Sequence, residues 1–281
     1  MTLRFAYNTN GAANHRLDDA LHLIKAAGYD GVALTLDIHH LDPFAETWAA
    51  EAGRVASLLE KLELTCVIET GARFLLDPNA KHEPTLVTAD AAGRARRVGF
   101  LKRAIEIGAM LSAEAVSFWA GVPKPGVDHG EARRWLEEGL HDVAAFATAS
   151  GVVPCLEPEP GMLIETLDDY AALAVPGLKL ALDTGHCLVT GERDPAVAIA
   201  EFADRLGTVA IEDMARGVHI HLPFGEGDMD VPGVLAALNA IRFDRLICVE
   251  LSRESHRADL MVPASLKYLR DCRNPNPGAS A

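Results

Sequence analysis

The segment from Lys179 to Glu212 reads KLALDTGHCLVTGERDPAVAIAEFADRLGTVAIE and contains a strand–helix–strand unit. Its first and last runs, Lys179–Asp183 and Thr208–Glu212, are short and rich in Leu, Val and Ile, which is typical of buried strands in a parallel sheet. Pro195–Arg205 has helical spacing, and Asp194 followed by proline is the sequence of a helix start. The segment therefore predicts two parallel strands joined by a helix.

The same alternation recurs eight times along the chain. The predicted strands are Leu3–Asn8, Gly31–Leu36, Leu64–Glu69, Ala115–Trp119, Val152–Glu157, Lys179–Asp183, Thr208–Glu212 and Leu246–Glu250. The clearest predicted helices are Leu17–Ala27, Glu46–Leu62, Ala92–Met110, Glu131–Ala149, Pro195–Arg205 and Val231–Ile241. Eight units without a break predict an α/β protein folded as a single (β/α)₈ TIM barrel. The alternative is a doubly wound open sheet, but no strand is followed by a glycine-rich dinucleotide turn, so we expect no nucleotide cofactor.

One domain accounts for the whole length of 281 residues, because such barrels commonly run to about 250 residues as one unit. No linker rich in Pro, Gly or Ser divides the body of the chain. We expect the barrel to span residues 1–272. The segment 273–281 is rich in Pro and Gly without an apolar pattern, and it predicts a flexible C-terminal tail.

Composition limits the partners. The chain has 26 basic and 40 acidic residues and a formal net charge of −14, which argues against a nucleic-acid binder held by phosphate contacts. No apolar run approaches the length of a membrane span, and the start lacks the features of a signal peptide. The five cysteines are an odd number without close pairs. These features predict a cytoplasmic protein with a small-molecule substrate and no membrane contact.

Acids and histidines crowd at the carboxyl ends of the predicted strands, where (β/α)₈ barrels form their active sites. In chain order, the polar residues at these ends are Asn8, Asn10, Asp37, His39, His40, Glu69, Arg73, Lys81, His82, Trp119, Glu157, Glu159, Asp183, His186, Glu212, Asp213, His219, His221, Glu250, Arg253 and His256. This distribution predicts one active site at that end of the barrel.

Three carboxylates carry the strongest signal. Glu157, Asp183 and Glu250 each terminate an apolar strand, so each would be half-buried at the barrel mouth. Converging buried carboxylates repel one another unless they are paired, protonated or bound to a cation. Carboxylates with nearby imidazoles suit Mn²⁺, Mg²⁺, Co²⁺ or Zn²⁺, and we expect one divalent ion. The alternative is that each acid only caps the next helix or accepts backbone amides.

Two histidine motifs lie beside these acids. In Asp183-Thr-Gly-His186, we expect the glycine to permit a tight turn that returns His186 over the mouth, as a ligand or as a contact to substrate. In His219-Ile-His221, alternate residues of an extended segment share a face, so both imidazoles can point the same way. A turn-rich loop, Pro-Phe-Gly-Glu-Gly-Asp228, follows. Both motifs are therefore predicted to belong to the site.

Together these motifs resemble the xylose isomerase-like TIM-barrel superfamily, which includes sugar isomerases and epimerases, inosose dehydratases and an endonuclease branch. The resemblance covers the whole barrel and is most specific in its second half, in Leu-Glu157-Pro, Asp183-Thr-Gly-His186, His-x-His221 with Gly-Glu-Gly-Asp, and Val-Glu250-Leu. It implies that Glu157, Asp183 and Glu250 bind a divalent metal and that His186 contacts substrate. It also implies that the two glutamates exchange a proton on opposite faces of a sugar. Barrels of this kind often pair, so a homodimer is compatible with the resemblance.

The seventh strand departs from the family pattern. Relatives supply a histidine ligand there, whereas this chain has Ala210 in Ala210-Ile-Glu212-Asp. Either Glu212, His219 or His221 takes over, or the metal keeps an extra water; we assign the fourth ligand position to His221 and a substrate contact to His219. With His186, the His-x-His pair could instead form a separate three-histidine zinc site.

The leading hypothesis is a metal-dependent isomerase or epimerase of a sugar, polyol or related hydroxy-carbonyl compound. The metal would stabilise the enediolate that develops when the α-proton leaves, with Glu157 and Glu250 as base and acid. Arg73 and Arg253 could anchor an anionic group of the substrate, or only pair with neighbouring acids, and Trp119 could stack on a sugar ring or only line the wall. The alternatives are a metal-dependent hydrolase or dehydratase and a non-catalytic metabolite-binding barrel.

Overall fold

The structure, a computed structural model, describes residues 2–273 and shows a closed barrel of eight parallel strands. The strands are β1 (Arg4–Asn8), β2 (Gly31–Thr35), β3 (Thr65–Glu69), β4 (Val116–Trp119), β5 (Pro154–Glu157), β6 (Lys179–Asp183), β7 (Leu206–Ile211) and β8 (Leu246–Val249). They pair in chain order, and β8 closes the ring against β1, where Ala6 lies opposite Cys248. The predicted (β/α)₈ barrel is confirmed, and every predicted strand is present with its ends shifted by at most two residues.

Helices surround the barrel. They are α1 (Leu17–Ala27), α2 (Trp48–Leu62), α3 (Ala91–Met110), α4 (His129–Ala149), α5 (Leu167–Ala171), α6 (Thr184–Thr190), α7 (Pro195–Glu201), α8 (Val231–Ala240) and α9 (Ala258–Arg273), with 3₁₀ turns at Thr9–Ala12, Ala203–Arg205 and Ser255–Arg257. Sequence analysis did not single out three of them, because α5 and α6 are too short to show a period and Pro263 interrupts the pattern of α9.

The predicted helix Pro195–Arg205 is wrong at its C-terminal end. Helix α7 stops at Glu201, and Phe202 leaves the helical conformation with φ −100° and ψ 14°. The Phe202 ring is buried against Tyr170, which holds the chain at this point before the 3₁₀ turn leads into β7. The predicted start of α7 is confirmed, since the Asp194 side chain accepts a hydrogen bond from the amide of Ala196 at 2.9 Å.

Two apolar layers hold the barrel together. The larger one lies between the strands and the helices, and it includes Val32, Leu34 and Ile68. The smaller one fills the inside of the ring with Ala6, Ala33, Val67, Ala115, Cys155, Ala181, Leu246 and Cys248. Mostly small side chains inside the ring let the eight strands close tightly and deliver their last residues to one rim.

The described residues leave out Met1 and residues 274–281. Helix α9 includes Arg273, and the rest of the predicted tail, residues 274–281, lies outside the described residues. Across residues 2–273, no helix combines the length and the apolar sequence that a membrane crossing requires.

Replacing Gly31 by alanine is expected to destabilise the fold by about 1–3 kcal/mol through overpacking. A Cβ at this position would lie 2.7 Å from Leu246 Cδ1 and 2.7 Å from the carbonyl oxygen of Thr65, inside the ring. Gly53, in the middle of α2, is the matched control because a Cβ there meets nothing within 4 Å. Gly53→Ala should stabilise by about 0.5–1 kcal/mol, since alanine has the higher helix propensity. Urea unfolding of both variants measures the difference, and equal effects would contradict the packing described here.

Candidate functional site

A cavity of about 630 Å³ opens at the carboxyl ends of the strands. Its wall includes all nine residues to which sequence analysis assigns a role, namely Arg73, Trp119, Glu157, Asp183, His186, His219, His221, Glu250 and Arg253. The structure therefore brings the predicted site residues together in one place, while the individual roles stay predictions.

Asp183 ends β6 and its two carboxylate oxygens have different surroundings. Oδ1 accepts hydrogen bonds from the amides of Gly185 at 2.7 Å and His186 at 3.1 Å, so it caps helix α6. Oδ2 is buried without a hydrogen-bond partner. The helix-cap alternative raised for the strand-end acids is thus correct for one oxygen of Asp183. The other oxygen makes no hydrogen bond, and His186 Nε2 lies 3.3 Å from it.

Gly185 does not form the predicted tight turn. The residue lies inside α6, which starts at Thr184 directly after β6. A Cβ at position 185 would collide with Oε1 of Glu212 and with the side chain of Met214. The glycine leaves room for the Glu212 carboxyl group, which packs against the backbone of this helix.

Ala210 occupies the position at which the family pattern has a histidine. It lies in β7 directly across from Asp183 on β6 and from Cys248 on β8. Because side chains alternate along a strand, Ala210 and Glu212 point to the same side of the sheet, with Glu212 one step closer to the mouth. Glu212 is fully buried. Sequence analysis named it only as one of three residues that could replace the missing histidine.

Asp183, Glu212 and His221 form a group of possible metal ligands whose donor atoms lie within 4.8 Å of one another. Both Glu212 oxygens, Asp183 Oδ2 and His221 Nδ1 are buried without a hydrogen-bond partner. Burial and the adjacent Asp183 carboxylate raise the pKa of Glu212 well above its ordinary value. Two carboxyl groups in such contact need a shared proton or a cation between them, so the donor set fits a divalent metal.

A second group of possible ligands consists of Glu159, His186 and His219. His186 Nε2 lies 3.1 Å from His219 Nε2, and Glu159 oxygens lie 3.8 Å from each of these nitrogens. Burial disfavours the charged form of His186, but the carboxylates of Asp183 and Glu159 outweigh it and raise its pKa. Burial and the neighbouring imidazoles lower the pKa of His219 to about 4. The arrangement fits a charged His186 that donates to a neutral His219.

Glu157 and Glu250 face the cavity from β5 and from the residue after β8. Burial, with the carboxylate of Glu159 as the next cause, raises the pKa of Glu157 well above its ordinary value. Glu250 Oε1 accepts a hydrogen bond of 2.8 Å from Asn10 Nδ2. Glu157 shares a ligand group with Asp183 and His186, whereas none of the three groups found in the described part of the chain includes Glu250. Glu250 is therefore held by Asn10 beside the acidic cluster, which consists of Glu157, Glu159, Asp183 and Glu212.

Two further acids of the cavity received no role from the sequence. Glu69 ends β3 and accepts a hydrogen bond from Ser117, and burial with the Glu250 carboxylate raises its pKa to about 8. Burial raises the pKa of Glu159 to about 7. The only sequence signal for these two acids was their position at or just after the end of a strand. That position does not distinguish a catalytic or metal-binding acid from one that caps a helix.

Basic and aromatic side chains form the other part of the cavity wall. Arg73 pairs with Asp37 at 3.1 Å, as the alternative for this residue predicted, whereas Arg253 has no ion-pair partner among residues 2–273. Trp119 is covered on one side by the guanidinium of Arg97, 4.3 Å from the ring centroid, and meets His82 edge-on. Its remaining surface lines the cavity. Within residues 2–273, the wall thus offers Arg253 as a cation without an ion-pair partner and Trp119 as an aromatic surface.

The chain was compared with known proteins and solved structures to assign its family. No curated protein matches the chain. The structure of 3-keto-D-glucoside 4-epimerase, YcjR, from E. coli has a TM-score of 0.76 at 17% identity, covering 96% of this chain and 100% of that chain. L-ribulose 3-epimerase has a TM-score of 0.76 at 21% identity, with 97% and 96% covered. The IolI protein with a bound zinc atom has a TM-score of 0.76 at 18% identity, with 96% and 98% covered.

Identities this low establish a common fold and leave the reaction open. The family model described as xylose isomerase-like TIM barrel matches residues 21–272, which is nearly the whole barrel. The chain therefore belongs to the xylose isomerase-like TIM barrel family.

Proposed function

We propose that this protein is a divalent-metal-dependent isomerase or epimerase acting on a sugar, a polyol or a related hydroxy-carbonyl compound. The observation that carries the proposal is the pair of cavity-facing carboxyl groups, Glu157 and Glu250, on either side of a buried set of unpartnered metal-ligand atoms. The two epimerases of the same fold act on sugars by their names, which supports a substrate of this class.

The residues that would hold the ion are Glu157, Asp183, His221 and Glu250. The structural reason is that Asp183 Oδ2 and His221 Nδ1 are buried without a hydrogen bond, since buried polar atoms that lack one are costly. A bound divalent cation would polarise the substrate carbonyl and stabilise negative charge that develops on its oxygen. IolI, with its bound zinc atom, supports a metal in this fold.

Glu157 and Glu250 are the proposed proton carriers. One carboxylate takes the proton from the carbon beside the carbonyl, and the pair of electrons of that C–H bond moves toward the carbonyl oxygen. The other carboxyl group returns a proton to the opposite face. The two residues lie three strands apart on an eight-strand ring, so they approach a bound substrate from different sides. The raised pKa of Glu157 favours its protonated form, and Asn10 donates a hydrogen bond to the carboxylate of Glu250.

The rest of the cavity wall would bind the substrate. His186 and His219 present polar nitrogens toward the cavity, and Trp119 offers an apolar surface for a sugar ring. Arg73 and Arg253 are the proposed contacts for polar or anionic groups of the substrate. Five cysteines without a disulfide among them fit a reducing compartment, so we place this small-molecule enzyme in the cytoplasm.

Glu157→Gln and Glu250→Gln are each expected to lower proton exchange at the reacting carbon by about 10²–10⁴-fold, the usual loss when a general acid or base is removed. The measurement is deuterium uptake from D₂O, followed by NMR, with Mn²⁺-loaded protein and a panel of free and phosphorylated ketoses and keto-inositols. Glu60→Gln, an exposed glutamate on α2, is the control and should exchange at the wild-type rate. Wild-type exchange by both cavity variants on a substrate that the enzyme turns over would refute the assignment.

Metal content is the second test. Protein purified without chelator is expected to carry one divalent ion per chain by elemental analysis. Removing the ion should lower the melting temperature, and saturation with Mn²⁺ should restore it, because a ligand at about 100 times its Kd adds about 2.7 kcal/mol to the stability. Two or three ions per chain would favour the hydrolase alternative instead.

The metal-free protein should lose stability as the pH rises. The folded-state pKa values of Glu69, about 8, and Glu159, about 7, lie above the ordinary value of 4.5. Groups raised in this way stabilise the folded state at low pH, and that stability is lost as the pH increases from about 4.5 through 8. Calorimetric melting at about pH 5.5 and about pH 8.5, with EDTA or with Mn²⁺, measures the effect. The loss should be smaller with Mn²⁺, because the ion offsets the repulsion; a larger loss with the ion would contradict this explanation.

A further inference from the structure

We propose that Glu212 is itself a metal ligand, which replaces the histidine missing at Ala210 and shares the ion with Asp183 and His221. The inference rests on the metal of the proposed function. It adds a ligand at the place where this chain departs from the family pattern. A centre in which Glu212 replaces a histidine is richer in carboxylate oxygen, and it suits Mn²⁺ or Mg²⁺ better than an imidazole-rich centre does.

The geometry of β7 carries the first step. Ala210 lies across from Asp183 and points to the same side of the sheet as Glu212. The side chain of alanine has no donor atom, so it cannot bind an ion beside Asp183, and the backbone carbonyl of Ala210 accepts a hydrogen bond from Thr184. The side chain of Glu212 extends from the next position on that side, and its carboxylate reaches the same aspartate.

The burial of Glu212 carries the second step. Its side chain has 0% exposure, and both of its oxygens lack a hydrogen-bond partner, as do Asp183 Oδ2 and His221 Nδ1 beside it. His221 Nδ1 lies 4.0 Å from Glu212 Oε2, too far for a hydrogen bond. The two Glu212 oxygens, Asp183 Oδ2 and His221 Nδ1 thus lie together without a hydrogen bond among them, and His186 Nε2 lies 3.3 Å from Asp183 Oδ2. Carboxylate oxygens and an imidazole nitrogen in such a group are atoms that can bind a divalent cation.

Gly185 carries the third step. Helix α6 approaches Glu212 so closely that any Cβ at position 185 would collide with Oε1. The carboxyl group thus packs against the backbone of this helix, next to Asp183, and is fully buried there. A ligand held in one orientation loses little side-chain freedom when it binds an ion.

The competing occupant of this position is a proton. A protonated Glu212 would donate a hydrogen bond to Asp183 Oδ2 and would leave metal binding to the other residues. Glutamine separates the two cases, because its amide also donates a hydrogen bond and has the same shape, but it carries no charge and is a weak metal ligand.

The test is isothermal titration of chelator-treated protein with MnCl₂ and with ZnCl₂, without substrate. Glu212→Gln is expected to weaken Mn²⁺ binding by at least about tenfold. The control is Glu226→Gln, which removes one charge from the exposed part of the loop that carries His221 and should keep the wild-type Kd. Wild-type Mn²⁺ affinity in Glu212→Gln would overturn the inference and assign the residue to the proton.

Thermal melting of the same samples distinguishes the loss of a metal ligand from a destabilised fold. With EDTA present, Glu212→Gln should melt at or above the wild-type temperature, because the amide relieves the contact between two carboxyl groups. Its rise in melting temperature on adding Mn²⁺ should be smaller than that of the wild type. A metal-free variant that melts below the wild type would show a structural role and contradict the inference.

A second variant tests the replacement directly. The double variant Glu212→Ala, Ala210→His restores the family arrangement. The ratio of its Zn²⁺ affinity to its Mn²⁺ affinity should be higher than the same ratio for the wild type. An unchanged preference would argue against Glu212 as the substitute ligand. If the wild-type protein binds no Mn²⁺ or Zn²⁺, the metal of the proposed function fails as well; if it binds the ion and Glu212→Gln binds it equally well, only the further inference fails.

Discussion

Repulsion among buried carboxyl groups is the constraint on which the mouth of this barrel depends. Glu69, Glu157, Glu159 and Glu212 all have raised pKa values, and burial is the largest cause for each. Each also faces at least one neighbouring carboxylate. An arrangement of this kind is stable only when protons or a cation neutralise part of the charge. The chemistry that we propose uses both, since a cation would bind Asp183 and its neighbours while Glu157 exchanges a proton with substrate.

The closed barrel is what brings these groups together. Its interior is filled mainly by small side chains such as Ala6, Ala33 and Ala181, so the ring is narrow and the last residues of opposite strands lie close. Helix α6 narrows the mouth further by starting directly at Asp183, and Gly185 lets that helix lie against Glu212. Packing below the rim therefore sets the distances within the acidic cluster above it.

Most charges of the site are divided between two sides. Glu157, Glu159, Asp183, His186 and His219 lie on or after strands β5–β7, whereas Arg73, Lys81 and His82 come from the loop after β3. Glu69 at the end of β3 and Arg253 after β8 are the exceptions. Such a division suits a small polar substrate whose reacting carbon faces the acids and whose other groups face the cations. Part of the net charge of −14 is thus concentrated where a bound cation would offset it.

The sequence by itself determined the barrel and the location of the site. The spacing of apolar residues and the order of elements can be read directly from the sequence, so eight strand–helix units identify a closed parallel sheet. Residues such as Glu157 and Asp183 can be placed at its rim because each ends a strand. Only the tertiary structure decided which rim residues have free donor atoms. Asp183 uses one oxygen as a helix cap and keeps the other, and Glu212 is confined against Gly185. These properties depend on distances between residues far apart in the chain, as between Asn10 and Glu250, and no local pattern encodes such distances.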